Sequence, residues 1–574
     1  MASPVRSLEP LVWAFSSGSD SPLKVLLDCT GMTISRELVD VLSEFRLRLR
    51  PASSASTRLR GLRVGFRFVK CRLKVNTLTL LKDVFAPMES STRPRLVNEV
   101  VELLDLSDNG LLPSAMSFVS SIVSTTVFRQ LVLENVLAQA LSDGSVEGLR
   151  DILRAVLTAN DYSAMNEPVK ISLAQNSLDS RYFAAIANAV AGGTRELSFL
   201  SIERTMSYTN AGDRERSWEM LGYICFGEQS IDSATSSQLM LGSNPFYPLD
   251  GVAFQRGVAS VFENYLPRVE DALRQGQTVA CRVQSRKLVL DPGQVEFAHD
   301  ILRPDTEYQV LEVRDDGWWQ IRAEISGWIK NESIKMLRFG EDRAVKMRFS
   351  SINLDRIGDP ASFGSTIPLF LQTAGHDIKS LSLRAMSASR LQLSDVFPVC
   401  PNLIQLDVAV SHLFHMDTLW EALHNGNAPS LRSLIVDSNY LGYRGLETLA
   451  RLYSDEHQLP LRHLSLLNTH MGEIGLTHLS QVLVNSNLLE ILDMSAPTDD
   501  MPATYTEHTR QFHQDHHDKI MGSKPYSLSS KLAFLSAIPH LQSQWNIQSI
   551  DTHVYSIIFD FAGSLVRRQV HWHK

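Results

Sequence analysis

Four histidines crowd one short stretch of the chain, His508, His513, His516 and His517, interleaved with Asp515 and Asp518. Imidazole and carboxylate are both ligands for a divalent ion, and His513 with His517 would share a face if the segment were helical. The surrounding residues 497–527 are polar, however, and read as a solvated loop insertion, so no metal site and no cofactor is expected. A second set of polar side chains recurs along the whole chain: Asp105, Asp108, Arg204, Arg348, Arg384, Asp407, Asp437, His463, Asn468 and Asp493. Each follows a short apolar alternation, where a strand would turn it outward. Mixed charge of that kind suits recognition of another macromolecule better than catalysis.

Catalytic signatures are missing. There is no GxxxxGK(S/T) phosphate loop, no GxGxxG after a strand, no GxSxG elbow and no HExxH helix, so no catalytic residues are assigned and a non-enzyme is expected. The five cysteines, Cys29, Cys71, Cys225, Cys281 and Cys400, are far apart and form no C-x-x-C pair. That pattern argues against a disulfide framework and for a reducing compartment, cytosolic or cytosolic and nuclear. A net charge of -8 argues against general nucleic-acid binding. The arginines at 46, 48, 50, 58, 60 and 63 read as a solvated loop. The apolar run Leu11–Phe15 is too brief for a secretory signal, and no stretch reaches the roughly 20 residues of a membrane span.

The elements that must position the polar set are repeats. Leu461, Leu464, Leu466 and Met471 fill the pattern L-x-x-L-x-L-x-x-N-x-L with Thr469 in the Asn slot, and Gly475, Leu476, Leu479 and Leu483 follow at helical spacing. The frame recurs as Leu431, Leu434, Val436, Asn439 and Leu441, as Leu403, Leu406, Val408 and Leu413, as Ile378, Leu381 and Leu383, and as Leu489, Leu492 and Met494. Starts at 378, 403, 431, 461 and 489 give steps of 25, 28, 30 and 28 residues. In the N-terminal half it is filled by Val101, Leu104, Leu106, Asn109 and Leu111, by Ile171, Leu173, Asn176 and Leu178, and more weakly near 128, 197 and 239. Val25, Leu27 and Met32 look like a first strand, and Leu59, Leu62 and Val64 like a poor second copy. Such units cannot bury their apolar face alone, and stacking closes a shared core. The pattern resembles ribonuclease-inhibitor-like leucine-rich repeats. The resemblance implies an α/β solenoid with a curved parallel sheet on its concave side, helices outside, and the polar set above on the concave face.

One gap breaks the period. Between the strand near 236 and the next candidate, Met347 and Phe349 in a frame from about 344, lies EYQVLEVRDDGWWQIRAEISGWIKNESIKML, all β in character. An acidic turn before Gly-Trp-Trp and a later Gly-Trp-Ile resemble a Src-homology-3 (SH3) type barrel, closer to its bacterial relatives, inserted at 277–338. The resemblance implies a groove formed by Tyr308, Asp315, Asp316 and Trp318. Lys330 and Ser333 stand where the signalling family has Pro and Tyr, which removes most of the floor for proline rings and disfavours a proline-rich peptide as ligand. Of the tryptophans, Trp319 and Trp328 are expected in the core and Trp318 at a rim.

The expected organisation is therefore repeats over 1–276, the barrel over 277–338, repeats over 339–496, the His-rich loop over 497–527, and a last repeat helix with a capping helix over 528–574. Asp551 would be that helix's N-cap, Val554 to Val566 its apolar face, and Arg567 and Arg568 its C-terminal charge. Function is expected to be a protein-protein interaction scaffold with a protein partner, no nucleic acid and no membrane. The repeats also resemble those of Ran-type GTPase-activating proteins and of ubiquitin-ligase substrate receptors, the two alternatives. The former's acidic tail and the Leu-Pro opening of an F-box are both missing.

Overall fold

The computed structural model describes residues 12–15, 24–48, 63–85, 100–137, 143–158, 168–206, 210–230, 237–283, 287–290, 298–300, 302–303, 306–314, 316–330, 333–339, 343–357, 363–385, 396–411, 419–420, 423, 428–454, 459–469, 471–486, 488–497, 501, 503–524 and 564–573. Its two compact units are Met1–Ile378 and Lys379–Lys574.

In the first unit the apolar alternation builds one short strand per repeat. Lys24–Asp28, Arg63–Arg67, Val100–Asp105, Val127–Val132, Val169–Ser172, Leu197–Ser201, Gln238–Met240 and Ser351–Asn353 run parallel, each paired to the next. Val12–Phe15 adds an antiparallel edge strand on Lys24–Asp28. The register aligns the fourth template position across neighbours, Leu27 with Phe66, Phe66 with Leu104, and on through Leu131, Ile171, Leu200, Leu239 and Ile352. All eight side chains are buried. Helices at Val75–Phe85, Pro113–Thr125, Asp143–Leu157, Ser180–Ala191, Ala211–Cys225 and Pro248–Asn264 turn buried faces to this row. The parallel strands and helices, with leucines in fixed register, are a leucine-rich-repeat fold.

The turn after each strand explains why the register holds. Asn176 donates to the carbonyls of Leu133 and Leu173 and accepts from the amides of Val136 and Leu137. Asn109 and Asn244 repeat the donation, the Cys71 thiol replaces it with contacts to the Cys29 and Val69 carbonyls, and the Thr205 hydroxyl with a bond to Ile202. The residue before this slot is left-handed in repeat after repeat, at Lys70, Asp108, Asn135, Gln175, Arg204, Ser243 and Arg356. That conformation costs about 1 kcal/mol for a residue with a Cβ. It aims the backbone amide at the neighbouring repeat: Asp108 N to Glu134 O, Asn135 N to Ala174 O, Gln175 N to Glu203 O.

All but one strand of an antiparallel sheet lie in the chain between Gln238–Met240 and Ser351–Asn353, although those two strands pair directly. Its strand order is Ala298–Asp300, Lys287–Val289, Ser326–Lys330, Trp318–Arg322, Tyr308–Val313, Val279–Val283, Ile334–Phe339, Arg343–Met347 and Phe226–Ser230. Two of these strands lie outside 277–338. Met347 belongs to this sheet, and the next repeat begins at Phe349 with Ile352 and Leu354 as its core pair, so the frame expected from about 344 is shifted. The poor copy at 59–64 is corrected likewise: Phe66, Phe68, Cys71 and Leu73 fill the buried slots, aromatic rings standing in for leucine.

In the second unit Ser380–Ser382, Gln405–Asp407, Ser433–Ile435, His463–Leu466, Ile491–Ser495 and Gln569–His573 are parallel neighbours. Leu381, Leu406, Leu434, Leu464, Leu492 and Val570 form the aligned core row. Ala385, Val410, Ser438 and Asn468 are its left-handed turn residues, and Asn439 spans the carbonyls of Val408 and Val436. Where 497–527 is described it departs from the expected loop: Ala503–His516 is a helix that buries Thr509, Phe512 and His516 and packs on Gly472–Asn485. The expected capping helix is also overturned where it is described. Ser564–Arg567 is a strand paired with Ile520–Lys524, and Gln569–His573 is the last repeat strand. Arg568 is buried and donates to the carbonyls of Leu483, Ser486 and Leu489, so it closes the end of the Gly472–Asn485 helix. The expected helices at 528–541 and 551–563 lie outside the described residues.

Candidate functional site

A strand residue between two core leucines must point away from the helices. On the first unit this puts Asp28, Arg67 and Asp105 side by side on adjacent strands. Arg67 Nε lies 3.2 Å from Asp105 Oδ2, and Nη1 lies 3.4 Å from Asp28 Oδ2. Asp105 also accepts from the amide and hydroxyl of Ser107. Burial pushes the Asp28 carboxyl up, and the Thr30 hydrogen bonds together with Arg67 outweigh it, leaving the group below its ordinary value. Two residues further along each repeat comes a row the sequence reading missed, Glu134, Glu203 and Asp355. Burial, then Asp355 and Glu134, raise the Glu203 carboxyl above its ordinary value. Gly242 leaves the space between Glu203 and Asp355, since a Cβ there would meet both residues. An acidic residue directly after the last core leucine was the readable signal.

On the second unit the open face carries Asp407, with Arg384 Nε 3.8 Å from its Oδ2, and Asp437, which accepts from Ser465 Oγ at 2.6 Å and Leu467 N at 2.8 Å. The densest cluster is at Asp493. His463 Nε2 lies 2.7 Å from its Oδ2, and His571 Nδ1 and His573 Nε2 each lie 3.0 Å from its Oδ1. Ser433 Oγ sits 2.9 Å from the other His463 nitrogen, and Gln569 Oε1 sits 3.2 Å from the other His571 nitrogen. Burial pushes the Asp493 carboxyl up, and the three imidazole contacts more than offset this, leaving it below the ordinary carboxylate value. Sequence reasoning placed His463 and Asp493 on this face. It missed His571 and His573, whose signal is the alternation in Gln569-Val570-His571-Trp572-His573.

The remaining predicted residues separate. Asp108, Arg204 and Asn468 are the left-handed turn residues, at the rim of the strand face and not on it. Asp108 accepts from Asn135 Nδ2, and Asn468 Oδ1 accepts from Ser495. Arg348 is corrected outright. It follows the antiparallel strand Arg343–Met347 and lines a pocket of about 200 Å³ with Leu157, Arg195, Glu228 and Tyr265, so it is not on the strand face. In the antiparallel sheet Tyr308 is buried with its hydroxyl 2.6 Å from the Arg303 amide. Lys330 Nζ lies 4.6 Å over the Trp318 ring and donates to the Asp316 carbonyl, which covers the wall expected to receive a ligand. Asp315 lies outside the described residues. Trp319 and Trp328 are buried.

The four histidines of the sequence cluster also separate. His513 and His517 stack at 4.5 Å, whereas buried His516 turns to Ser480 Oγ at 2.8 Å and is pulled down to about 4 by burial, Arg568 and Lys519. Among the described residues, the group of three or more His, Cys, Asp or Glu side chains spaced for a metal is Asp493, His571 and His573. No described helix is long and apolar enough to cross a membrane.

No family model matches the chain, and no curated protein matches it. Among solved structures it is similar to a leucine-rich repeat-containing protein of Legionella pneumophila, at 12% identity over 70% of this chain and 93% of that one, TM-score 0.31. It is also similar to an internalin of Listeria monocytogenes, at 10% identity over 83% of this chain and 87% of that one, TM-score 0.30.

Proposed function

We propose that this chain is a protein-interaction scaffold that holds a protein partner on the open strand face of its repeats. The reading rests on the register. Core leucines aligned strand by strand leave the intervening side chains in rows about 4.8 Å apart, on a backbone locked by the turn asparagines. The sites proposed for contact are Asp105, Asp407, Asp437, His463 and Asp493, joined by Glu134, Glu203 and Asp355. The helices that follow most strands favour the ribonuclease-inhibitor-like class. The segment 277–338 is read as an SH3-like insert that braces the first unit or adds a second contact. With Lys330 over Trp318, proline-rich peptide is not its ligand.

The test is affinity purification of the intact chain beside Lys170→Glu and Gln405→Arg, two open-face changes, and Trp318→Ala in the insert. Partners lost with either open-face variant and kept with Trp318→Ala are the expected result. Partners unaffected by both open-face variants would remove the strand face from the account.

A further inference from the structure

We propose that Asp493, His571 and His573 form a binding site for a divalent transition ion of the Zn²⁺ class on the open face of the second unit. The backbone brings the three together. His571 and His573 alternate on one strand and so share a face, and the parallel register sets Asp493 directly opposite His571. Both ring nitrogens lie 3.0 Å from the same carboxylate oxygen, and the three ligand atoms all fall within 4.8 Å of one another. Tetrahedral zinc with bonds of about 2.0 Å separates its ligands by about 3.3 Å, so the ion needs only small side-chain movements. Two imidazoles and a carboxylate select zinc and its first-row neighbours over calcium or magnesium, which take oxygen ligands.

The surroundings orient the ligands as outer partners of a metal site do. His463 Nε2 holds the second Asp493 oxygen at 2.7 Å, and Ser433 fixes the far side of that ring. Gln569 lies against the far nitrogen of His571, which keeps Nδ1 turned to Asp493. His571 and His573 remain 43% and 50% exposed, so a fourth coordination position opens to solvent. This inference does not depend on the scaffold reading, because it concerns an ion and not a protein partner.

The intact chain is titrated with Zn²⁺ against a chromophoric chelator, and with Co²⁺, whose visible absorption reports tetrahedral coordination. One saturable equivalent is expected, weakened at least tenfold in Asp493→Asn, His571→Ala and His573→Ala, and unchanged in His508→Ala, whose exposed ring lies 3.6 Å from Glu473 and away from the ligand strand. His463→Ala should weaken binding by roughly tenfold, as outer-partner loss does. A wild-type chain with no saturable binding overturns the proposal. So does binding that persists within twofold when His571 and His573 are both alanine. His573 is half exposed, so its variant reports on ligation with the fold least disturbed, and unchanged melting of that variant without metal verifies this.

Discussion

The same slot in the repeat, the strand residue between two core leucines, is used in two ways. In the first unit it carries Asp28, Arg67 and Asp105, an acid-base-acid row in which one guanidinium serves two carboxylates. In the second unit it carries Asp493 and His571, and the carboxylate is served by three imidazoles. An arginine stays protonated across the physiological range, so the first row keeps a fixed charge, one cation between two carboxylates, and a fixed geometry. An imidazole can give its nitrogen to a proton or to a metal, so the second cluster can change its occupant. A repeat strand fixes where a side chain stands, and the residue type decides whether that place is a brace or a site.

The largest effect should come from removing the support beneath the second cluster. Arg568 lies one residue before the strand that carries both histidines, and burial pulls it down to about 10, which leaves it charged at neutral pH. Arg568→Ala leaves the carbonyls of Leu483, Ser486 and Leu489 without this donor, a loss of about 3 kcal/mol by urea unfolding, and it should abolish the single Zn²⁺ equivalent. The next effect concerns pH. His516, faced by Ser480, Arg568, Lys519 and Asp515, stays neutral in the fold down to about 4, whereas an unfolded histidine protonates near 6.5. Stability is therefore full above pH 6.5 and declines as pH falls toward 4, by about 3 kcal/mol. Melting curves of His516→Gln should be flatter across that window, and equal slopes for the two proteins would dismiss the ring as the cause. A smaller effect is expected in the first unit, where Arg67→Ala should cost about 1 kcal/mol, less at high salt. A cost independent of salt would show that Arg67 acts by packing. Smallest, Val410→Gly should raise stability by up to about 1 kcal/mol, since a β-branched residue at φ +57 is strained.

The repeat was legible wherever leucine fills the buried slots and asparagine the turn, because both choices follow from local burial and backbone bonding. It faded where other residues do the same work. Phe66 and Phe68 pack as the leucines would, and Cys71 donates as an asparagine would, so the second copy was read in the wrong frame. The strand Gln569–His573 has only Val570 and Trp572 facing inward, too little alternation to outweigh the helical spacing of the residues before it. The helix Ala503–His516 buries Phe512 with two polar residues, Thr509 and His516, so its composition looked like a loop. Of the site, Asp493 and His463 were readable from their place after core leucines. Their convergence with His571 and His573 depends on which strand becomes the neighbour, and pairing between distant strands is not a local property of the chain.

The left-handed turns also govern where such a chain can grow. Lys70, Asp108, Asn135, Gln175, Arg204 and Ser243 each aim a peptide N–H into the adjoining repeat, and the strand before each is paired on both sides, so extra residues placed in that stretch would break bonds in two directions. The return path from helix to next strand is under no such obligation. The chain from Gln277 to Arg348 lies on that path, after the helices Pro248–Asn264 and Leu266–Arg274, and Leu239 still meets Ile352 as though nothing intervened. Lengthening is thus channelled to one seam of the molecule, where new structure can accumulate without disturbing the face beside it.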